Sequence, residues 1–250
     1  MFADVTLGPW FEVLPAASHQ FGGIAAMTQM RAGSESKFAG MRRVAFAPER
    51  RLVLDTLHLG HNKPMMHGLL ELDVTRARRM LAEHKAKAGQ SLSFTAFLLS
   101  CVGRSVAANP EVHALKDWLG KVVLFGDVDA TTIVEVEVEG RPFPLAHVVR
   151  GINRRSVQDI TDELRTVQRA GIQSLPLGVR ASSAVFLRLP GFVRRSAYRL
   201  LLRSPGFAKR HTGTMLVSSI GMFTGGANWG FSAPGIHNLS VVVGGIAPRA

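Results

Sequence analysis

The sequence predicts an α+β domain in which a mixed, mostly antiparallel sheet is flanked by helices. Three observations lead there. Residues 133–139 read IVEVEVE, placing three valines on one face and three glutamates on the other. That period of two marks a half-buried antiparallel strand. Helical spacing of apolar residues recurs three times, before and after that strand. Helices and strands therefore interleave, with a sheet polar on one side. Hydrophobic residues make up 46% of the 250, which supplies one large core or two small ones and excludes an intrinsically disordered chain.

Residues 1–39 are Gly/Ala-rich with weak periodicity and are expected to form an N-terminal arm, with a short strand at 10–14. Residues 42–59 are too irregular to assign. Residues 64–74 (PMMHGLLELDV) end in strand-like alternation. A helix over 75–87 should carry Val74, Ala77, Leu81 and His84 on one face, and Gly89 should stop it. Ser91 or Ser93 should cap a second helix over 94–107, apolar nearly all round and hence buried, which Asn109-Pro110 ends. Cys101, inside it, is expected in the core. Residues 122–125 form a short apolar run. Gly140 breaks the 133–139 strand, and 143–149 returns as its partner. Ser156 should cap a helix with Val157, Ile160, Leu164 and Val167 inward. Late strands are expected at 214–218 and 239–246.

Charge is distributed unevenly. The net charge is +12, yet every acidic residue lies at or before Glu163, and 11 basic residues follow it with no acid. Such asymmetry suits an anionic partner or a fold onto the acidic first part. Within 185–210, Leu189-Pro190-Gly191-Phe192 is echoed by Pro205-Gly206-Phe207. Two short helices starting near Pro190 and Pro205 are expected. Arg195, Arg199 and Arg203 fall four apart on the first, making a basic amphipathic segment suited to an anionic membrane surface. The rival role is a lid whose arginines meet cofactor phosphates.

Other classes are excluded. One cysteine allows neither a disulfide framework nor a four-cysteine metal site. The spacing of His58, His61 and His67 matches no zinc pattern, so no metal is expected. His113 heads a His-x-x-x-Asp spacing without the following glycine and reads as a surface or turn histidine. Residues 221–226 lack the Lys-Ser/Thr of a phosphate loop, and no nucleic-acid-binding signature accompanies the charge. With no basic leader and no apolar run of about 20 residues, the expected location is cytoplasmic, compatible with a membrane-peripheral role.

An ordered series of short motifs adds a resemblance. It runs through Met41-Arg42-Arg43, the stretch 64–74 with its Asp73-Val74, Asn109-Pro110-Glu111-Val112, Gly140 and Pro144, the segment 156–164, Val217-Ser218-Ser219-Ile220-Gly221-Met222-Phe223, and LSVVVGGI over 239–246. Over 40–170 and 212–247 the chain resembles the catalytic domain of the dihydrolipoamide acyltransferases of 2-oxo acid dehydrogenase complexes. The resemblance implies the chloramphenicol acetyltransferase-like fold over 40–250, with 173–211 as a basic helical insertion. It implies acyl transfer between a lipoyl thiol and coenzyme A, a trimer or a multiple of it, and other dehydrogenase-complex subunits as partners. Ser218 matches the family's oxyanion-stabilising serine, with Ser219 one residue off. Ser219, Arg194 and Arg195 are the candidates for coenzyme A contact.

The family's catalytic histidine stands in a His-x-x-x-Asp-Gly motif that these 250 residues do not contain. The expectation is therefore an inactive or weakly active acyltransferase domain, with His237, then His147, as substitute base. The alternative is a non-catalytic scaffold, assembly or membrane-peripheral protein on the same fold.

Overall fold

A computed structural model of the chain describes residues 48–61, 63–138, 141–174, 186, 188–221 and 228–248. The chain divides into units 1–45 and 46–250, and the account below concerns the second. The expected arm and its strand at 10–14 lie outside the described residues, as does Met41-Arg42-Arg43.

The valine–glutamate alternation becomes the longest strand pair. β3 (Ala130–Val138) and β4 (Arg141–Val149) form an antiparallel hairpin paired at nine positions, from Ala130↔Val149 to Val138↔Arg141. The late strands β5 (Met215–Ser219) and β6 (Ser240–Val243) add to it in parallel, at three and four positions. The order is β4-β3-β5-β6, and β1 (Leu115–Lys116) with β2 (Val122–Val123) makes a separate small hairpin. The class is thus α+β with a mixed sheet, as the sequence predicts.

Register fixes which residues share a face. Ala130, Thr132, Val134 and Val136 stand with Met215 and Val217 and with Leu145 and Val149. That face is buried against α3 (Phe94–Ala108) and α4 (Val157–Ala170), through Ala96, Leu99, Val106, Ile160, Leu164 and Val167. The opposite face carries Ile133, Glu135, Glu137, Pro144 and Ala146, all exposed.

The local signals explain the helix ends. The Ser93 hydroxyl accepts from the Ala96 N–H at the start of α3. Ser156 and Asp159 form a reciprocal capping box on α4. Buried Thr161 donates to the Val157 carbonyl (2.7 Å) and accepts from the Ser93 N–H (3.1 Å), tying the two helix starts together. A Cβ on Gly103 would lie 2.7 Å from Ile152 Cγ1, so glycine lets α3 approach the 152–153 turn. Helix α2 (Thr75–Ala88) ends at Gly89 in the left-handed region. It has no buried residue: Val74, Ala77 and Leu81 are half-covered and His84 is exposed.

Several expectations are corrected. Residues 48–61, unassigned from sequence, form helix α1 (Pro48–His61). The stretch 64–74 forms no helix or strand, and 64–73 is exposed, with Met66 97% and Leu70 81% accessible. Its alternation has no described strand beside it to make a ladder. Cys101 is exposed rather than in the core, because α3 buries only the stripe Ala96, Leu99, Ser100, Gly103 and Val106. His113 is fully buried, not a surface residue: it ends a single 3-10 turn (Pro110–His113), and its Nδ1 meets Thr214 Oγ1 at 2.9 Å.

The basic segment folds as expected into α5 (Gly191–Leu202) and α6 (Pro205–Thr212). A buried ion pair anchors α5, with Arg194 Nε 2.6 Å from Asp55 Oδ2 on α1 and Nη1 donating to the Leu189 carbonyl.

Candidate functional site

β5 and β6 run in parallel, so their C-terminal ends lie side by side, with Ser218 opposite Val242 and Ser219 opposite Val243. Strand alternation then separates the two serines. Ser219 continues the buried Met215–Val217 face, while Ser218 stands with Leu216 on the other. Neither hydroxyl has a hydrogen-bond partner among the described residues, so both are free to donate.

A groove of about 390 Å³ opens on the Ser219 side. Arg78 and Leu81 of α2, Phe94 of α3, Ser219, Val243, Gly244 and Ile246 are among its lining. Backbone packs closely around Gly244 in its lining. Gly245 N–H donates to the Asn228 carbonyl at 2.8 Å, and a Cβ on Gly244 would collide with that oxygen. The groove thus combines apolar walls, a guanidinium and a free hydroxyl, a combination suited to an extended apolar ligand with an anionic or carbonyl end. Sequence reasoning missed Arg78. Its signal is positional: with Val74 and Leu81 it falls at i, i+4 and i+7, a cation interrupting an apolar stripe.

The histidines lie elsewhere. His237 Nε2 donates to the Thr212 carbonyl (2.6 Å) at the opposite end of the β5–β6 pair. Its loop is fastened there: Lys63 donates to the Ile236 carbonyl and Asn238 Oδ1, and Asn238 donates to the Ala114 carbonyl. Burial lowers the His237 pKa, and the Lys63 charge lowers it too, against the Thr212 hydrogen bond that raises it. The ring is therefore neutral near pH 7. Ser218, however, is three residues along β5 from Met215, about 10 Å at 3.3 Å per residue, and His237's partner Thr212 lies before that strand. That exceeds the reach of a general base acting there within one chain.

His147 is on β4, two strand spacings from β5, about 10 Å across the sheet. Its Nε2 lies 2.7 Å from Glu163 Oε1, and Glu163 also accepts from Arg155. Arg194 is buried on Asp55, and coenzyme A contact would require breaking that pair. Arg195 Nη1 stands 3.8 Å from the other Asp55 oxygen and is partly exposed. Of the residues expected in the site, the structure brings Ser218 and Ser219 to one strand end on opposite faces. His237 and His147 sit away from it.

The fold recurs in solved structures. A truncated catalytic core of the 2-oxoacid dehydrogenase multienzyme complex from Thermoplasma acidophilum superposes with a TM-score of 0.59 over 84% of this chain and 82% of its own, at 18% identity. The fold is that of a 2-oxo acid dehydrogenase acyltransferase core. A probable dihydrolipoamide acetyltransferase from Listeria monocytogenes 4b F2365 gives 0.59 at 17% identity, over 85% of this chain and 78% of its own. The dihydrolipoamide acetyltransferase of Azotobacter vinelandii gives 0.56 at 16% identity, over 80% and 71%. A serine, a histidine and an asparagine have been examined in the catalytic mechanism of that enzyme. No family model matches the sequence, and no curated protein matches it. The likeness to the acyltransferase core is thus one of fold, carried by backbone geometry at low identity.

Proposed function

We propose that this chain is a cytoplasmic, self-associating acyltransferase-type domain that handles acyl thioesters of coenzyme A and a lipoyl arm. The observation that carries the reading is the end of β5, where the unpartnered Ser219 hydroxyl lines a groove with Arg78, Leu81 and Phe94 and the unpartnered Ser218 hydroxyl stands on the opposite face. Thiolate attack on a thioester carbonyl develops a tetrahedral oxyanion. A hydroxyl donor aimed at that oxygen contributes about 10²–10³ in rate. Ser218, on the open sheet face, takes that role for a carbonyl presented there, while Ser219 and Arg78 line the groove and offer a hydroxyl and a cation to the carrier. Arg195 is the partly exposed candidate for a phosphate, and Arg194 holds α5 in place.

The base is the weak part of the machinery. These residues contain no His-x-x-x-Asp-Gly, and His237 and His147 stand about 10 Å or more from the β5 end. Without a positioned base the attacking thiol relies on the few per cent present as thiolate at pH 7, a deficit of about 10²–10⁴. Slow transfer is the expected behaviour. The same distances favour a second reading, a non-catalytic scaffold that binds acyl carriers or partner subunits through this fold.

Acetyl transfer from acetyl-coenzyme A to dihydrolipoamide tests both. Slow turnover reduced at least tenfold by Ser218→Ala, with weaker acetyl-coenzyme A binding in Arg78→Ala and Ser219→Ala, supports the transferase. Binding without turnover supports the scaffold. Absence of binding, or turnover indifferent to both serines, overturns the site.

A further inference from the structure

The outer face of α5 has no part in the groove, and its composition is specific. Taken at 100° per residue, Phe192, Ser196, Arg199, Leu200 and Arg203 fall within an arc of about 100° centred opposite Arg194. All five are exposed, Phe192 at 67% and Leu200 at 70%. The inner side is fixed. Arg194 is buried on Asp55, and the Tyr198 ring meets Phe186 edge-on at 5.0 Å between centroids. The helix therefore cannot roll to hide its two large apolar side chains without breaking a buried ion pair. No carboxylate occurs anywhere after Glu163, and Asp55 is already taken by Arg194.

We propose that this stripe docks the protein on an anionic lipid surface, with Phe192 and Leu200 entering the headgroup boundary and Arg199 and Arg203 meeting lipid phosphates. The chemistry selects this occupant. Arginines alone suit any polyanion, but exposed Phe and Leu between them gain nothing from a phosphodiester backbone. A bilayer interface supplies both an apolar phase and negative charge. This role is independent of acyl chemistry, and its readout does not depend on turnover.

The experiment is co-sedimentation of the 250-residue protein with vesicles of phosphatidylcholine, with and without phosphatidylglycerol. Pelleting is expected only with phosphatidylglycerol and is expected to fall at high salt. Arg199→Gln with Arg203→Gln should weaken partitioning about twenty- to thirty-fold, about fivefold per charge. Phe192→Ser with Leu200→Ser should weaken it comparably, whereas Arg199→Lys with Arg203→Lys should retain it. Unchanged circular dichroism verifies that the variants fold. Equal pelleting with neutral vesicles, no pelleting at low salt, or indifference to the stripe substitutions overturns the proposal. So does loss of duplex DNA binding in the arginine pair when wild type ignores the vesicles.

Discussion

Glu163 shows how one side chain can report on the sheet–helix junction. Burial alone would raise its pKa, but hydrogen bonds from His147 and Arg155, with their charges, outweigh this and leave it lowered. A carboxyl whose folded pKa is lowered adds stability above its unfolded value, about 4.3, and loses it as pH falls through the folded one. Glu163→Gln should therefore cost about 2 kcal/mol at pH 7 and flatten the stability curve below pH 4 to 5, as read from urea unfolding across pH. His113 acts in a higher window. Burial lowers its pKa, with Lys209 adding to this against the Phe125 backbone and Asp129. The folded state thus binds its proton less readily than the unfolded chain, and stability should fall as pH drops below about 6.5. His113→Gln should reduce that slope, leaving the part that His237 contributes in the same window. A slope unchanged in the variant would assign it to another group.

At the scale of elements, the seam between α1 and α5 is the most exposed to single substitutions. Asp55 and Arg194 lie 139 positions apart in sequence, and their side chains are 2% and 7% accessible. Asp55→Ala leaves a guanidinium buried without its carboxylate and should cost about 3–5 kcal/mol. Asp55→Leu with Arg194→Met should recover most of the loss, since an apolar pair of similar volume avoids desolvation. A double variant as unstable as the single one would show that the seam depends on the charges themselves. The sequence placed α2, α3 and α4 within about one residue of their ends and α5 and α6 within about one residue of their starts, because caps, Pro-Gly starts and apolar spacing act over one or two turns. It left α1 unassigned, since that helix depends on Asp55 finding a partner far along the chain. Residues 64–74 failed in the other direction, with strand-like alternation and no strand beside them among the described residues.

For the whole molecule, the open sheet face is the decisive feature. Ile133 is 40% exposed at the centre of the hairpin face opposite the helices, with Leu216, Ser218 and Val242 half-covered on the same side. Self-association through that face follows from the proposed function and would place a second copy against Ser218. Ile133→Glu should then shift sedimentation velocity toward monomer at micromolar concentration, while circular dichroism stays unchanged. A wild-type chain already monomeric there would remove the oligomer from the reading.

The sequence alone determined what depends on near neighbours: the α+β class, the period-two strand, three helices, two of them with their stops, the two basic helices after Pro190 and Pro205, and the serine pair at a strand end. These follow from side-chain periodicity and backbone capping, which residues a few positions apart settle between themselves. Tertiary structure decided the rest. It chose which of Ser218 and Ser219 meets the groove, because alternation separates the two faces but only helix placement covers one of them. It buried His113 beside Thr214, 101 positions away, and turned Arg194 inward to Asp55. It carried His237 to the end of the strand pair away from the serines. Each outcome rests on a contact between distant segments, where desolvation and partner geometry outweigh anything written in the local pattern.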